Sequence, residues 1–230
     1  MSPNVFPLTY EIQRQEEYNR WLPLVKWLLV IPNIFVLVFV LIGAFLALIG
    51  AFFAVLFTRT FPRGIFDFLV GVGRWTARVG AYLCLLTDKY PPFTTAVTPE
   101  DTVTYDLAYP EQGVDRWRPL VHWILIIPYH LIATILGYLV GIVTLIAFFT
   151  ILFTKKIPEG LFTMSLNSIR WQARSNVYGA FMVTKYPPFE WDPEQPTARV
   201  DAPRPPAATE PPATAPAPSE ADPPPPPATT

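Results

Sequence analysis

The stretch IFDFLVGVGRWTARVGAYLCLL, residues 65–86, decides the fold. It is long enough to cross a bilayer as a helix, yet it carries Asp67, Arg74 and Arg78. A central arginine costs about 2.5–3.5 kcal/mol on insertion scales, while each Leu, Ile or Phe returns only about 0.3–0.6 kcal/mol. A second version, LFTMSLNSIRWQARSNVYGAFM at 161–182, adds Ser165, Asn167, Ser168, Gln172, Ser175 and Asn176. On hydropathy alone this second version does not insert unaided. Either it is shielded in a helical bundle, or it lies in the interface as an amphipathic helix.

Both stretches sit inside a longer repeat. A shift of 96 lays residues 18–93 on 114–189 without a gap, with 28 identities in 76 positions. RWLPLVKWLLVIP (20–32) falls on RWRPLVHWILIIP (116–128), and AFFAVLFTRTFPRGIF (51–66) on AFFTILFTKKIPEGLF (147–162). RWTARVGAY (74–82) falls on RWQARSNVY (170–178), and KYPPF (89–93) on KYPPF (185–189). Positions 33–50 and 129–146 share no identity, though both are almost wholly apolar. A segment that only has to be greasy can drift, whereas one that kinks, anchors or pairs keeps particular residues.

The pattern R-W-x-P-L-V-x-W-[LI]-L-x-I-P, then F-T-x-x-x-P-x-G-[IL]-F, R-W-x-[AV]-R-x-x-x-Y and K-Y-P-P-F resembles the bacterial family called domain of unknown function 4389. The resemblance covers both repeats. It implies a small bacterial integral membrane protein, often with the unit in tandem. It implies no activity, and no functional residue can be carried over from it.

Composition agrees with a membrane protein. Half the residues (51%) are hydrophobic and only 15% are charged, against about a quarter charged in ordinary soluble domains. The net charge of −1 implies no nucleic-acid partner. From Asp192 onward six acids and two arginines give −4, so the rest of the chain is mildly basic. The single cysteine, Cys84, excludes an intrachain disulfide, and its apolar neighbours read as a small core or lipid-facing position. The N-terminus, MSPNVFPLTYEIQRQEE, has no basic region leading into an apolar core, so the first long apolar run is expected to act as its own insertion signal.

LTYEI (8–12) and VTYDL (103–107) alternate apolar and polar residues, which fits either a short β pair at the membrane surface or irregular interfacial chain. Residues 20–31 form an interfacial entry helix, with Pro23 in its first turn, Trp21 and Trp27 at headgroup level, and Arg20 and Lys26 snorkelling beside them. Pro32 allows a bend. Residues 33–57 carry no charge and span about 37 Å as a helix, enough for a hydrocarbon core of about 30 Å. Residues 129–153 do the same, with Trp117 and Trp123 ahead of them. His122 falls on Lys26 and reads as a surface residue, and His130 as an interfacial hydrogen-bonding one. TRTFPRG and TKKIPEG end each apolar helix and reverse the chain. KYPPF anchors the exit from each unit through Lys89, Tyr90 and Phe93, and through Lys185, Tyr186 and Phe189.

Repeat parity bears on topology. Two units that face the same way must each cross the membrane an even number of times. Four membrane helices satisfy this. So does a shallow hairpin of residues 24–57 bending near Gly43, with 65–86 lying flat. The four-span reading is preferred. Termini and central loop then hold nine Lys or Arg residues and the two short turns hold four, which places the termini in the cytoplasm of a bacterial inner-membrane protein.

The expected architecture is therefore an all-α integral membrane protein of two tandem helical hairpins. Residues 1–17 form an N-terminal segment with a strand, 18–93 repeat 1, 94–113 a connecting loop with a strand, 114–189 repeat 2, and 190–230 a disordered Pro/Ala-rich tail. The tail reads as a spacer, or as a ligand for a protein partner. The shared polar group is Arg74, Arg78 and Tyr82, with Arg170, Arg174 and Tyr178. Arginines four apart share a helix face, and Asp67 could pair with one of them. These residues either brace the fold against carbonyls, acids or lipid phosphates, or form a site for an anionic lipid or small anion. No catalytic, metal-binding or cofactor-binding pattern is present: GVGRWT (71–76) lacks the third glycine of a dinucleotide loop. The expected function is a non-enzymatic membrane scaffold, with an anion or lipid carrier as the alternative.

Overall fold

A computed structural model describes residues 6–110 and 117–191. Most of the Pro/Ala-rich tail lies outside the described residues. The elements are β1 (Leu8–Ile12), α1 (Leu22–Leu29), α2 (Ile31–Thr58), α3 (Arg63–Leu83), β2 (Val103–Leu107), α4 (Arg118–Thr154) and α5 (Glu159–Gly179).

The same local chemistry is written twice. Pro23 and Pro119 occupy the first turns of α1 and α4, where a missing N–H costs nothing. Pro32 withdraws one backbone donor, and the helix is interrupted at Val30. Pro128, its counterpart, is carried inside a continuous α4. Arg59 and Lys155 end the long helices in the left-handed region, at φ 59° and 58°. Leu85 and Phe181, again 96 apart, do so after α3 and α5. There Leu86 N donates to Ala81 O and Met182 N to Val177 O, the six-to-one bond of a Schellman end. Leu85 and Phe181 are both buried.

α2 is continuous, with no turn near Gly43. Its buried residues are Asn33, Leu37, Ala44, Ala51 and Val55. Steps of four and seven make this one narrow stripe, and it faces α3. The rest of α2 and α4 is apolar and exposed. Leu22–Thr58 and Pro119–Thr154 are long and apolar enough to cross a membrane, yet only 17% and 22% of their most apolar windows are buried. That sets them apart from helices of a soluble core. Among the described residues α3 and α5 do not meet this test, so two of the four expected membrane helices have this support and two do not.

The two alternating stretches do form strands. β1 and β2 pair antiparallel, with Leu8 opposite Leu107, Tyr10 opposite Tyr105 and Ile12 opposite Val103. Tyr10 and Tyr105 are the third residues of LTYEI and VTYDL, 95 apart, which makes them equivalent with a one-residue gap ahead of the aligned repeats; they sit directly opposite, so a pseudo-twofold axis passes between them. Each strand packs on the other repeat: β2 on α3, and β1 on α5. The start of each repeat also lies at the turn of the other. Tyr18 N donates to Lys155 O (2.8 Å), and the Tyr109 hydroxyl donates to Phe61 O. Phe52, late in α2, stacks on Trp123, early in α4, at 6.0 Å. The two long helices therefore run antiparallel.

Candidate functional site

The ribbon explains where the arginines go. Gln13 N donates to Thr102 O and Ala108 N to Pro7 O, bracketing the ladder. Alternation along an antiparallel pair then makes Tyr10–Tyr105 a non-hydrogen-bonded pair, whose carbonyls point outward from the two edges. Each of those carbonyls takes an arginine: Arg74 Nε donates to Tyr105 O (3.2 Å) and Arg170 Nε to Tyr10 O (2.7 Å). The two contacts are repeat equivalents and latch the ribbon to α3 and α5.

The remaining arginine contacts extend the latches. Arg74 also donates to Thr95 O (2.8 Å) and lies 3.7 Å from the Asp106 carboxylate. Arg78 donates to Thr94 O (2.8 Å), to Ala96 O (2.7 Å) and to Asp101, with both charged side chains buried. Burial opposes ionisation of Asp101, but hydrogen bonds from Thr98 and Arg78 outweigh it and hold its carboxyl below the usual range. Arg170 donates to Asn167 Oδ1 (3.3 Å), and the Arg174 guanidinium lies 5.9 Å from the centre of the Phe6 ring. Asp67 is exposed; the carboxylates beside Arg74 and Arg78 come from the connecting segment instead.

Tyr82 and Tyr178 do not join this group. A helix advances about 40° beyond a full turn every four residues, which carries both rings round to the entry helices. Lys26 Nζ lies 4.8 Å over the Tyr82 ring, donates to Thr87 O (2.8 Å) and pairs with Asp88 (2.8 Å). Lys26 is buried and does not snorkel. In repeat 2, His122 stacks on Tyr178 at 4.0 Å, buried rather than at the surface. His130 is exposed and its Nδ1 lies 2.9 Å from Ser175 Oγ.

KYPPF, expected as an anchor, forms a clasp within the fold. The Tyr90 hydroxyl donates to Leu29 O and that of Tyr186 to Leu125 O, each at 3.2 Å. Phe93 and Phe189 meet Trp75 and Trp171 edge-on at 6.2 and 6.0 Å. Asn33, which sequence reasoning passed over, ties the first clasp: it donates to Pro91 O and accepts from Trp75 Nε1. Lys89 pairs with Glu100 (3.3 Å). Trp21, Trp27, Trp117 and Trp123 are exposed. One signal could have revealed the Lys26 pair. At the 96-residue offset Lys26 becomes His122 and Asp88 becomes Thr184, so cation and acid disappear together.

Beneath the tyrosine pair, between α3 and α5, lies a mostly apolar cavity of about 350 Å³, bordered by Tyr10, Tyr105, Leu41, Cys84, Gln172 and Asn176. Burial pushes the Tyr105 hydroxyl up to about 12, against Arg74, and the Cys84 thiol up to about 11, against the hydroxyl of Thr144. Both stay protonated at neutral pH.

A family model described as domain of unknown function (DUF4389) matches residues 21–95 and, a second time, 116–190. No curated protein and no solved structure matches the chain.

Proposed function

The chain belongs to the DUF4389 family, and from that premise we propose that it is a non-enzymatic scaffold of the bacterial inner membrane, with its termini on the cytoplasmic side. The observation that carries this reading is what the arginines bind. Arg74 and Arg78 meet backbone carbonyls and carboxylates of the connecting segment, and Arg170 meets a β1 carbonyl and Asn167. Guanidinium groups engaged in this way brace a fold and present no open fork to a phosphate. The exposed apolar faces of α1, α2 and α4 provide the contact with lipid. The Pro/Ala-rich tail is the segment we assign to reaching a protein partner.

A carrier for an anionic lipid has less support, because its arginines would have to release these partners. The test is lipid retention. Purified protein is exposed to vesicles of phosphatidylcholine alone or mixed with phosphatidylglycerol, as wild type and with Arg→Lys at 74, 78, 170 and 174. The scaffold reading expects no preference for phosphatidylglycerol in wild type. A preference that disappears in the variants, with the fold intact by circular dichroism, would replace it with the carrier.

A further inference from the structure

We infer that residues 6–110 and 117–191 sit in one leaflet, with the long helices lying along the membrane and none of these segments crossing it. This rests on the reading of the chain as a membrane protein. One face of β1 and β2 is buried; the other presents Thr9, Glu11, Thr104 and Asp106. Apart from the Tyr10 and Tyr105 carbonyls held by Arg170 and Arg74, the edges of this two-stranded sheet lack strand partners, and hydrocarbon does not tolerate lipid-exposed open edges. The ribbon therefore lies on the water side.

The polar chain that carries the ribbon also covers α3 from end to end. Thr94 and Ala96 meet Arg78, Tyr105 meets Arg74, and Tyr109 lies 5.0 Å from Phe66 and close to Phe61. On the other repeat, Tyr10 meets Arg170, and Arg14 meets Ile157 O (2.7 Å) near the start of α5. α3 and α5 thus run along the water boundary instead of leaving it.

The long helices follow them side by side. Lys26 meets Tyr82, Asn33 meets Trp75, and Gly50 lies beside Ile65. His122 meets Tyr178 and the Ala133 carbonyl meets Gln172. A helix held alongside an interfacial helix over this length lies in the same plane. Its far side is then the lipid side, and there Phe35, Phe39, Leu46, Ile127, Leu131 and Leu145 are exposed. Because α2 and α4 are antiparallel, the tryptophans that open each repeat stand at opposite ends of the molecule. In this arrangement both ends reach the same headgroup layer. Zero crossings is also an even number, so both repeats keep one orientation, and the pseudo-twofold axis stands normal to the membrane.

The experiment uses sealed vesicles carrying the full chain with a single added cysteine at Thr60, Lys156, Thr104 or Thr197, probed with an impermeant maleimide from each side. All four positions should label from one side only, and trypsin added to wild-type vesicles from that side should cut after the basic residues of both turns. Trypsin needs no substitution, so a misfolded variant does not spoil the test. Labelling of Thr60 or Lys156 only from the side opposite Thr104 would overturn the one-leaflet arrangement and leave a membrane protein that crosses. Release of the wild-type chain from membranes by carbonate without detergent would instead sink the membrane reading itself.

Discussion

Replacing Asp101 by Asn should destabilise the fold by about 3 kcal/mol. Arg78 and Asp101 are 3% and 8% exposed at their side chains, so the substitution leaves a cation in a poorly solvated site. Breaking a buried pair on one side costs about 3–5 kcal/mol, mostly through the charge left behind. Arg78 keeps the carbonyls of Thr94 and Ala96, which places the loss at the lower end. At about 1.4 kcal/mol per decade that is about a 150-fold shift toward the unfolded state. Denaturant unfolding in a mild detergent, followed by tryptophan fluorescence, measures it. The pH dependence gives a second reading. The Asp101 carboxyl is depressed on folding, so its contribution is complete above the ordinary Asp value of about 3.9 and is lost as pH falls through the lower folded value. Wild type and Asp101→Asn should therefore converge only once the pH has fallen below that depressed folded value. A loss under about 0.5 kcal/mol at pH 7, where an exposed pair would fall, would refute the latch.

Three other outcomes follow from the repeat. His122→Lys alone should cost about 2–3 kcal/mol by burying an unpaired cation, and adding Thr184→Asp, which rebuilds the Lys26–Asp88 arrangement, should recover most of it in the same unfolding assay. Gly73→Ala should cost about 1–3 kcal/mol, because a Cβ there would meet the Tyr105 ring at 2.7 Å; thermal melting should show the loss, and a smaller effect is expected at Gly80, where the Cβ would meet open space. Tyr90→Phe and Tyr186→Phe should each lose about 1 kcal/mol and add in the double variant, since the two clasps are separate; calorimetry of the three variants checks it.

Much of the architecture was legible in the letters. The offset of 96 located both units, the uncharged runs located α2 and α4, and two alternating pentapeptides located a ribbon. The shared arginines were legible as special, but not what they bind. A helix-face argument reaches only neighbours along one helix, so it brought Asp67 toward Arg74 and Arg78 and overlooked Asp101 and Asp106 beyond a turn. It also could not show that the Arg170 acceptor stands 160 residues earlier. Lys26 was misjudged for a related reason. An entry-helix lysine snorkels by default, and only a partner folded back from the far end of α3 buries it.

The exchange of strands between repeats has a consequence for biosynthesis. The partner strand of β1 begins 95 residues after it, and the helix it packs on ends at Gly179. At about 5–20 residues per second, roughly 10–35 s separate the synthesis of the strand from the appearance of its complete docking surface. For that interval Tyr10 can reach Ala77 O of its own half, but the β2 strand and the α5 face that complete the cover of β1 do not yet exist. Docking of β1 must therefore wait for translation of the second repeat, whereas α1, α2 and α3 can pack on one another beforehand; a nascent chain stalled before residue 159 would leave the strand unlatched.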